Sequence, residues 1–200
     1  MKSRPTLLLL SAALLAAAAA PVAMAQAYPV KPIHVVVPYP PGGGVDLTGR
    51  LLQQRMSAAL GQPIIIENRA GATGLIGAEY VVRSAPDGYT IAYTVGSDMA
   101  LKLFALKNPT IDPTKDFTAI ASALESVGCI AVATKLGVNT LKELFDMARR
   151  SPGKLNFASA GINSSHHLTG ELLRMNGIDL NHVPYKGTAP GVVALVSGEV

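Results

Sequence analysis

Two hydrophobic rhythms alternate along this chain. Ile33-His34-Val35-Val36-Val37 is a nearly continuous apolar run of strand length that reads as a buried strand. After the loop Pro38-Tyr39-Pro40-Pro41-Gly42-Gly43-Gly44, residues Leu47, Leu51, Leu52, Ala58, Ala59 and Leu60 place an apolar stripe on a helix. Asp46 is expected to cap this helix and Gly61 to stop it. Ile64-Ile65-Ile66-Glu67 is the next strand, Asn68–Thr73 a loop, and Gly74–Ser84 a second helix with Leu75, Ala78, Val81 and Val82 inward. Pro86-Asp87-Gly88 makes a turn before a third strand at Tyr89–Thr94. This βαβαβ order predicts a parallel sheet covered by helices.

Beyond Val95 the pattern blurs into a short helix at Met99–Leu106, a turn at Asp112-Pro113 and a strand at Phe117–Leu124. Alternation resumes with a strand at Cys129–Ala133, a helix at Leu141–Arg150 capped by Thr140, and a strand around Leu155–Ala158. A helix at His167–Met175, a strand at Ile178–Val183 and a helix at Pro190–Ser197 follow. The chain therefore reads as two consecutive α/β units meeting near Leu124–Gly128, with no repeat of fixed period. Glu199-Val200 looks like the opening of another strand, so the sequence is expected to be a fragment of a longer protein.

The first residues follow neither rhythm. Lys2 and Arg4, the apolar run Leu7–Ala20, and Ala23-Met24-Ala25 or Ala25-Gln26-Ala27 have the order of a cleavable export leader, expected over residues 1–27. The apolar run is too short for a comfortable membrane span. Removing Lys2 and Arg4 with the leader lowers the formal net charge from +4 to +2. The basic balance is thus partly a property of the export signal, and no nucleic-acid partner is implied. The single cysteine, Cys129, cannot form an intramolecular disulfide and is expected in the core.

The loop at 38–44 carries the most specific chemistry. Prolines limit the entropy lost on ordering it, glycines let backbone approach a ligand, and the following helix start favours an anion. It reads as an anion cradle. Other classes find little support: no G-x-S-x-G elbow accompanies Ser164, Ser165 and His167, and no phosphate-binding G-K-[ST] follows the triple glycine. His166, His167, His182 and Asp179 lack zinc-ligand spacing. No catalytic residue, metal or cofactor is expected, and the chain is read as a non-enzyme.

Five segments together resemble one family. Pro38-Tyr39-Pro40-Pro41-Gly42-Gly43-Gly44-Val45-Asp46, Glu67-Asn68-Arg69-Ala70-Gly71-Ala72-Thr73-Gly74 and Ala85-Pro86-Asp87-Gly88-Tyr89-Thr90 are followed by Pro152–Gly161 and Val183-Pro184-Tyr185-Lys186-Gly187-Thr188-Ala189-Pro190. In that order they are similar to signatures of the Bug, or TctC-type, solute receptors of tripartite tricarboxylate transporters. The resemblance spans essentially all of Tyr28–Val200. It implies an α/β, two-lobed "Venus flytrap" of the type II periplasmic-binding class, incomplete here, with 28–126 in the first lobe and 127–200 in the second. It also implies a monomeric periplasmic receptor that captures a small carboxylate between the lobes and passes it to membrane components of the transporter. A receptor that signals to a sensor protein is the alternative.

The same resemblance implies the ligand contacts. From the first corner they are Tyr39, Pro41, Gly42, Gly43 and Gly44, and from the second Gly71, Ala72, Thr73 and Gly74. Gly96 and Ser97 follow the third strand. Ser159, Gly161, Ser164, Ser165, His167 and Lys186 belong to the second unit. Family sequences more often carry Pro at Ala70, Gly at Thr73, and a small or hydroxylated residue at His166; Asp98 also departs from the pattern. Thr73 either faces the ligand or caps a helix, Arg69 is a carboxylate clamp or a salt bridge, and Asp98 is a helix cap or a cleft group. Lys186 either attracts an anion or is solvated.

Overall fold

The computed structural model describes residues 27–200, so the expected leader over residues 1–27 lies almost wholly outside the described residues. Within Lys31–Val200 there are two parallel sheets. β1 (Ile33–Val37) lies between β2 (Ile64–Asn68) and β3 (Thr90–Ala92), with Ile33 opposite Ile64 and His34 opposite Thr90. β4 (Asn156–Ser159) pairs with β5 (Asn181–Pro184), Phe157 opposite His182. The helices are α1 (Gly44–Leu60), α2 (Leu75–Val82), α3 (Gly96–Ala105), α4 (Leu141–Arg150), α5 (Ser165–Met175) and α6 (Thr188–Ser197).

The apolar run of β1 is explained by its central place. Val36 and Val37 are wholly buried, and Ile33, Val35 and Ile64 form a cluster with Met56, Ile66, Tyr89, Ile91 and Tyr93. A parallel strand covered on both faces needs this composition. A second cluster of Ala78, Met99 and Ile111, joined by Leu75, Val82 and Phe117, ties α2 to α3.

α1 departs from the expected stripe. Leu47, Leu51, Ala58, Ala59 and Leu60 are exposed; Leu52 faces inward as expected, together with Asp46, Gly49, Gln53 and Met56. The reason is backbone satisfaction at the strand edge: Gln53 Nε2 donates to the Ile64 carbonyl at 2.7 Å, and Ser57 Oγ accepts the Ile64 N–H at 3.0 Å. Asp46 is also not the cap. Gly43 occupies that position without a side-chain bond, and Asp46, three residues in, accepts the Gly42 N–H at 2.9 Å. Arg50 Nε and Asn68 Nδ2 also donate to its carboxylate, at 3.1 and 2.9 Å. Burial opposes ionisation of Asp46, but Arg50, the Gly42 amide and Asn68 outweigh it and hold its carboxyl below the ordinary value. The stability this supplies is complete above the carboxyl's unfolded value and is lost as pH falls through the lower folded value. Asp46→Asn should flatten the acid limb of a stability-against-pH curve, read by urea denaturation.

Thr140 caps α4 as expected, accepting the Glu143 N–H at 3.2 Å while Glu143 accepts the Asn139 N–H at 2.7 Å. The strands expected at Phe117–Leu124 and Cys129–Ala133 do not form; among the described residues nothing pairs with them. An apolar run becomes a strand only where a neighbour offers N–H and C=O groups in register. Ile120, Val127 and Ile130 are exposed, and so is Cys129, against the expectation of a core residue.

Candidate functional site

Every loop that matters here leaves the carboxyl end of a parallel strand. Pro38, Tyr39 and Pro40 follow β1, Gly71–Gly74 follow β2, Ala160–Asn163 follow β4, and Tyr185–Gly187 follow Pro184, the last residue of β5. They enclose a cavity of about 400 Å³, completed by Leu75 of α2 and by Lys102 and Leu106 at the end of α3. Open α/β sheets place ligands beyond the carboxyl ends of strands, and this volume suits a small molecule. The lining includes Lys102 and Lys186 and, among the described residues, no acidic side chain.

The seam between the two sheets is built from a few close contacts. Thr73 Oγ1 donates to the Ile162 carbonyl at 2.7 Å. Asp98 Oδ1 accepts the Ser165 N–H at 3.0 Å, and its Oδ2 accepts the Tyr39 hydroxyl at 3.0 Å. Burial, and then the Asp98 charge, push the Tyr39 hydroxyl well above its ordinary pKa, so it stays a donor. Lys102 Nζ donates to the Thr73 carbonyl at 2.7 Å and to the Asp98 carbonyl at 3.1 Å. Burial pulls the Lys102 pKa down, and the Asp98 charge partly restores it. Ala72 and Thr73 both sit at positive φ, 47° and 51°, and the bonds to the Thr73 hydroxyl and carbonyl hold the Thr73 turn in place.

Seven of the expected contacts line the cavity: Tyr39, Gly71, Ala72, Thr73, Gly74, Gly161 and Lys186. Pro41, Gly42, Gly43 and Gly44 lie outside the lining, at the entrance to α1, where Gly43 packs close to the Thr188 hydroxyl of α6. Gly96 and Ser97 are exposed in the first turn of α3. Ser159 is buried and shares a 2.6 Å hydrogen bond with His182 Nε2. Ser164 is fully buried; it caps α5 through the His167 N–H and donates to the Gly161 carbonyl at 2.7 Å. Ser165 commits its N–H to Asp98, and His167 stacks on His182 at 4.4 Å.

Asp98 is neither of the things expected of it. Val95 holds the cap position of α3, and the Asp98 side chain, 2 % exposed, joins the two sheets. Arg69 is a salt bridge: it pairs with Glu67 at 3.1 Å and lies 3.5 Å over the Tyr80 ring. Lys102 was not singled out by sequence, where it reads as one more polar residue of an amphipathic helix. Its only signal is the four-residue spacing from Asp98, which places both on one face.

The stack Phe157–His182–His167 continues to Glu171, whose Oε1 lies 3.9 Å from His167 Nε2. Burial, then the neighbouring His167, lower the His182 pKa below its ordinary 6.5, with Glu171 opposing. The unfolded chain then takes up a proton more readily than the folded one, so stability is complete above about pH 6.5 and declines as pH falls below it. In His182→Gln, the difference in melting temperature between pH 7.5 and 5.5 should be smaller than in the parent.

The geometry agrees with what is similar to this chain. The profile of the tripartite tricarboxylate transporter family receptor, TctC, matches residues 48–200. The UPF0065 protein in the tcbD-tcbE intergenic region of Pseudomonas sp. strain P51 is 36% identical over 176 residues, 88% of this chain and 52% of that protein. Protein BugT of Bordetella pertussis is 35% identical over 184 residues, covering 91% and 56%. The chain thus spans about half the length of the curated relatives it matches. A structure described as a periplasmic transporter superposes with a TM-score of 0.84 at 40% identity, covering 87% of this chain and 59% of the other. MatC of Rhodopseudomonas palustris with bound malate gives 0.72 at 32% identity, covering 86% and 59%. R. palustris Rpa4515 with adipate gives 0.73 at 31%, covering 87% and 58%. The fold is therefore the α/β fold of periplasmic binding proteins, present in part. On the profile and the relatives together, the chain belongs to the TctC, or Bug, family of tripartite tricarboxylate transporter receptors.

Proposed function

We propose that the whole protein is a periplasmic receptor that captures a small carboxylate in the cleft and delivers it to the membrane components of a tripartite tricarboxylate-type transporter. The observation that carries this reading is the cavity itself: four backbone-rich corners and two lysines converge on it, and among the described residues no acid lines it. Two similar structures hold malate and adipate, which supports the same ligand class here. The function needs no covalent chemistry, and the protein acts as a monomer and not as an enzyme. Residues 28–126 supply the first lobe and 127–200 begin the second. A ligand touching both stabilises the closed form by its differential contacts. Of the seventeen positions expected from sequence, the seven lining the cavity meet the ligand, the corner Pro41–Gly44 meets it by way of ordered water, and Gly96, Ser97, Ser159, Ser164, Ser165 and His167 support the walls around it.

A thermal-shift screen of the protein expressed from its whole gene tests this. One or a few small carboxylates should raise the melting temperature by about 3–5 °C at a hundredfold excess over Kd. A response confined to neutral sugars or cations would overturn the reading.

A further inference from the structure

We propose that Lys102 is the side chain that binds a ligand carboxylate in this cleft, and that Asp98 directs the anion to it by occupying the amide at the start of α5. This rests on the carboxylate-receptor reading above and names the group that does the recognising.

Lys102 is 2 % exposed, yet it belongs to the cavity wall. An ammonium group has three donors. Two go to the carbonyls of Thr73 and Asp98, and among the described residues no carboxylate forms an ion pair with the third. The Asp98 charge one helical turn away offsets part of the cost of burying this cation but makes no ion pair with it, and an anion delivered from solvent completes its coordination. The two competing positions for that anion are weaker. The start of α5 would attract a carboxylate through its first N–H and dipole, but Asp98 Oδ1 already accepts that N–H, from Ser165. Lys186 is exposed, and its charge is screened by water. Lys102 also grips the Thr73 carbonyl while the Thr73 hydroxyl reaches the Ile162 carbonyl, so a carboxylate seated there touches the seam between the sheets.

The test uses the protein expressed from its whole gene and a calorimetric panel of L-malate, adipate, succinate and citrate. Lys102→Met should weaken the tightest of these by about 10- to 100-fold, the loss of one charged hydrogen bond. Lys107→Met removes the same charge from an exposed position outside the cavity lining and should change affinity less than about threefold. A crystal structure of the parent complex should place a carboxylate oxygen within about 3.2 Å of Lys102 Nζ. That contact separates recognition from a purely structural strut, and it holds as a test even where Lys102→Met does not fold. Undiminished affinity in a folded Lys102→Met, or a carboxylate seated elsewhere in the complex, overturns this inference alone. A parent protein that binds none of the panel overturns the receptor reading with it.

Discussion

Asp98→Ala should lose about 3–5 kcal/mol of folding stability, the largest effect of any single change at the seam. The side chain is 2 % exposed and serves two donors from opposite sides, the Tyr39 hydroxyl and the Ser165 N–H. Alanine takes this acceptor from the buried Tyr39 hydroxyl and the half-buried Ser165 N–H, and removes the charge that offsets part of the cost of the buried Lys102 ammonium. Asp98→Asn should cost less, about 1–2 kcal/mol. Its amide oxygen can still accept from Ser165, and its NH₂ can donate to the Tyr39 oxygen if that hydroxyl turns. Urea unfolding of the three proteins, compared at equal m-value, reads the differences directly. A loss below about 1 kcal/mol in Asp98→Ala would mean that the two sheets do not meet through this carboxylate.

Gly161→Ala should cost about 2–4 kcal/mol and pry the cleft open. Gly161 has φ +121°, a conformation that L side chains rarely adopt, and an added Cβ would lie 2.9 Å from Thr73 Oγ1 and 3.2 Å from the Tyr185 carbonyl. Relief comes by moving the Ala160–Asn163 loop away from Thr73, which breaks the Thr73–Ile162 hydrogen bond. Gly177→Ala separates the two contributions: its φ is +77° but its Cβ would meet open space, so it carries backbone strain alone, about 1 kcal/mol. Equal losses in the two variants would contradict the close approach of the two loops.

The sequence made the individual elements legible wherever one element buries its own face. β1 is an apolar run because it is covered, and Thr140 with Glu143 is a capping pattern written within four residues. Misreadings cluster where a local pattern had two outcomes. Asp46 and Asp98 each precede an apolar stripe; Asp46 was expected to cap it, and Asp98 either to cap it or to face the cleft. The helices begin earlier, at Gly44 and Gly96, which places each acid at the third helical position and frees its carboxylate for partners elsewhere. Phe117–Leu124 and Cys129–Ala133 have strand composition but no neighbour to pair with among the described residues.

For the site, the glycine- and proline-rich corners were legible because a tight strand-to-helix turn needs those residue types whatever lies beyond it. Lys102 was not. A lysine on a helix is read as solvated unless something covers it, and what covers this one is the Thr73 turn, 29 residues away.

By itself the sequence determined the βα alternation, the corners after the strands and the family, since each is written in neighbouring residues or in motifs kept in order. Only the tertiary structure decided which corners share one cavity, that Asp98 joins two sheets through a residue 67 positions away, and that Thr73 bonds across 89. Periodicity reports the face of one element, whereas a cleft is a contact between faces far apart in the chain, and its charge and burial exist only once they meet.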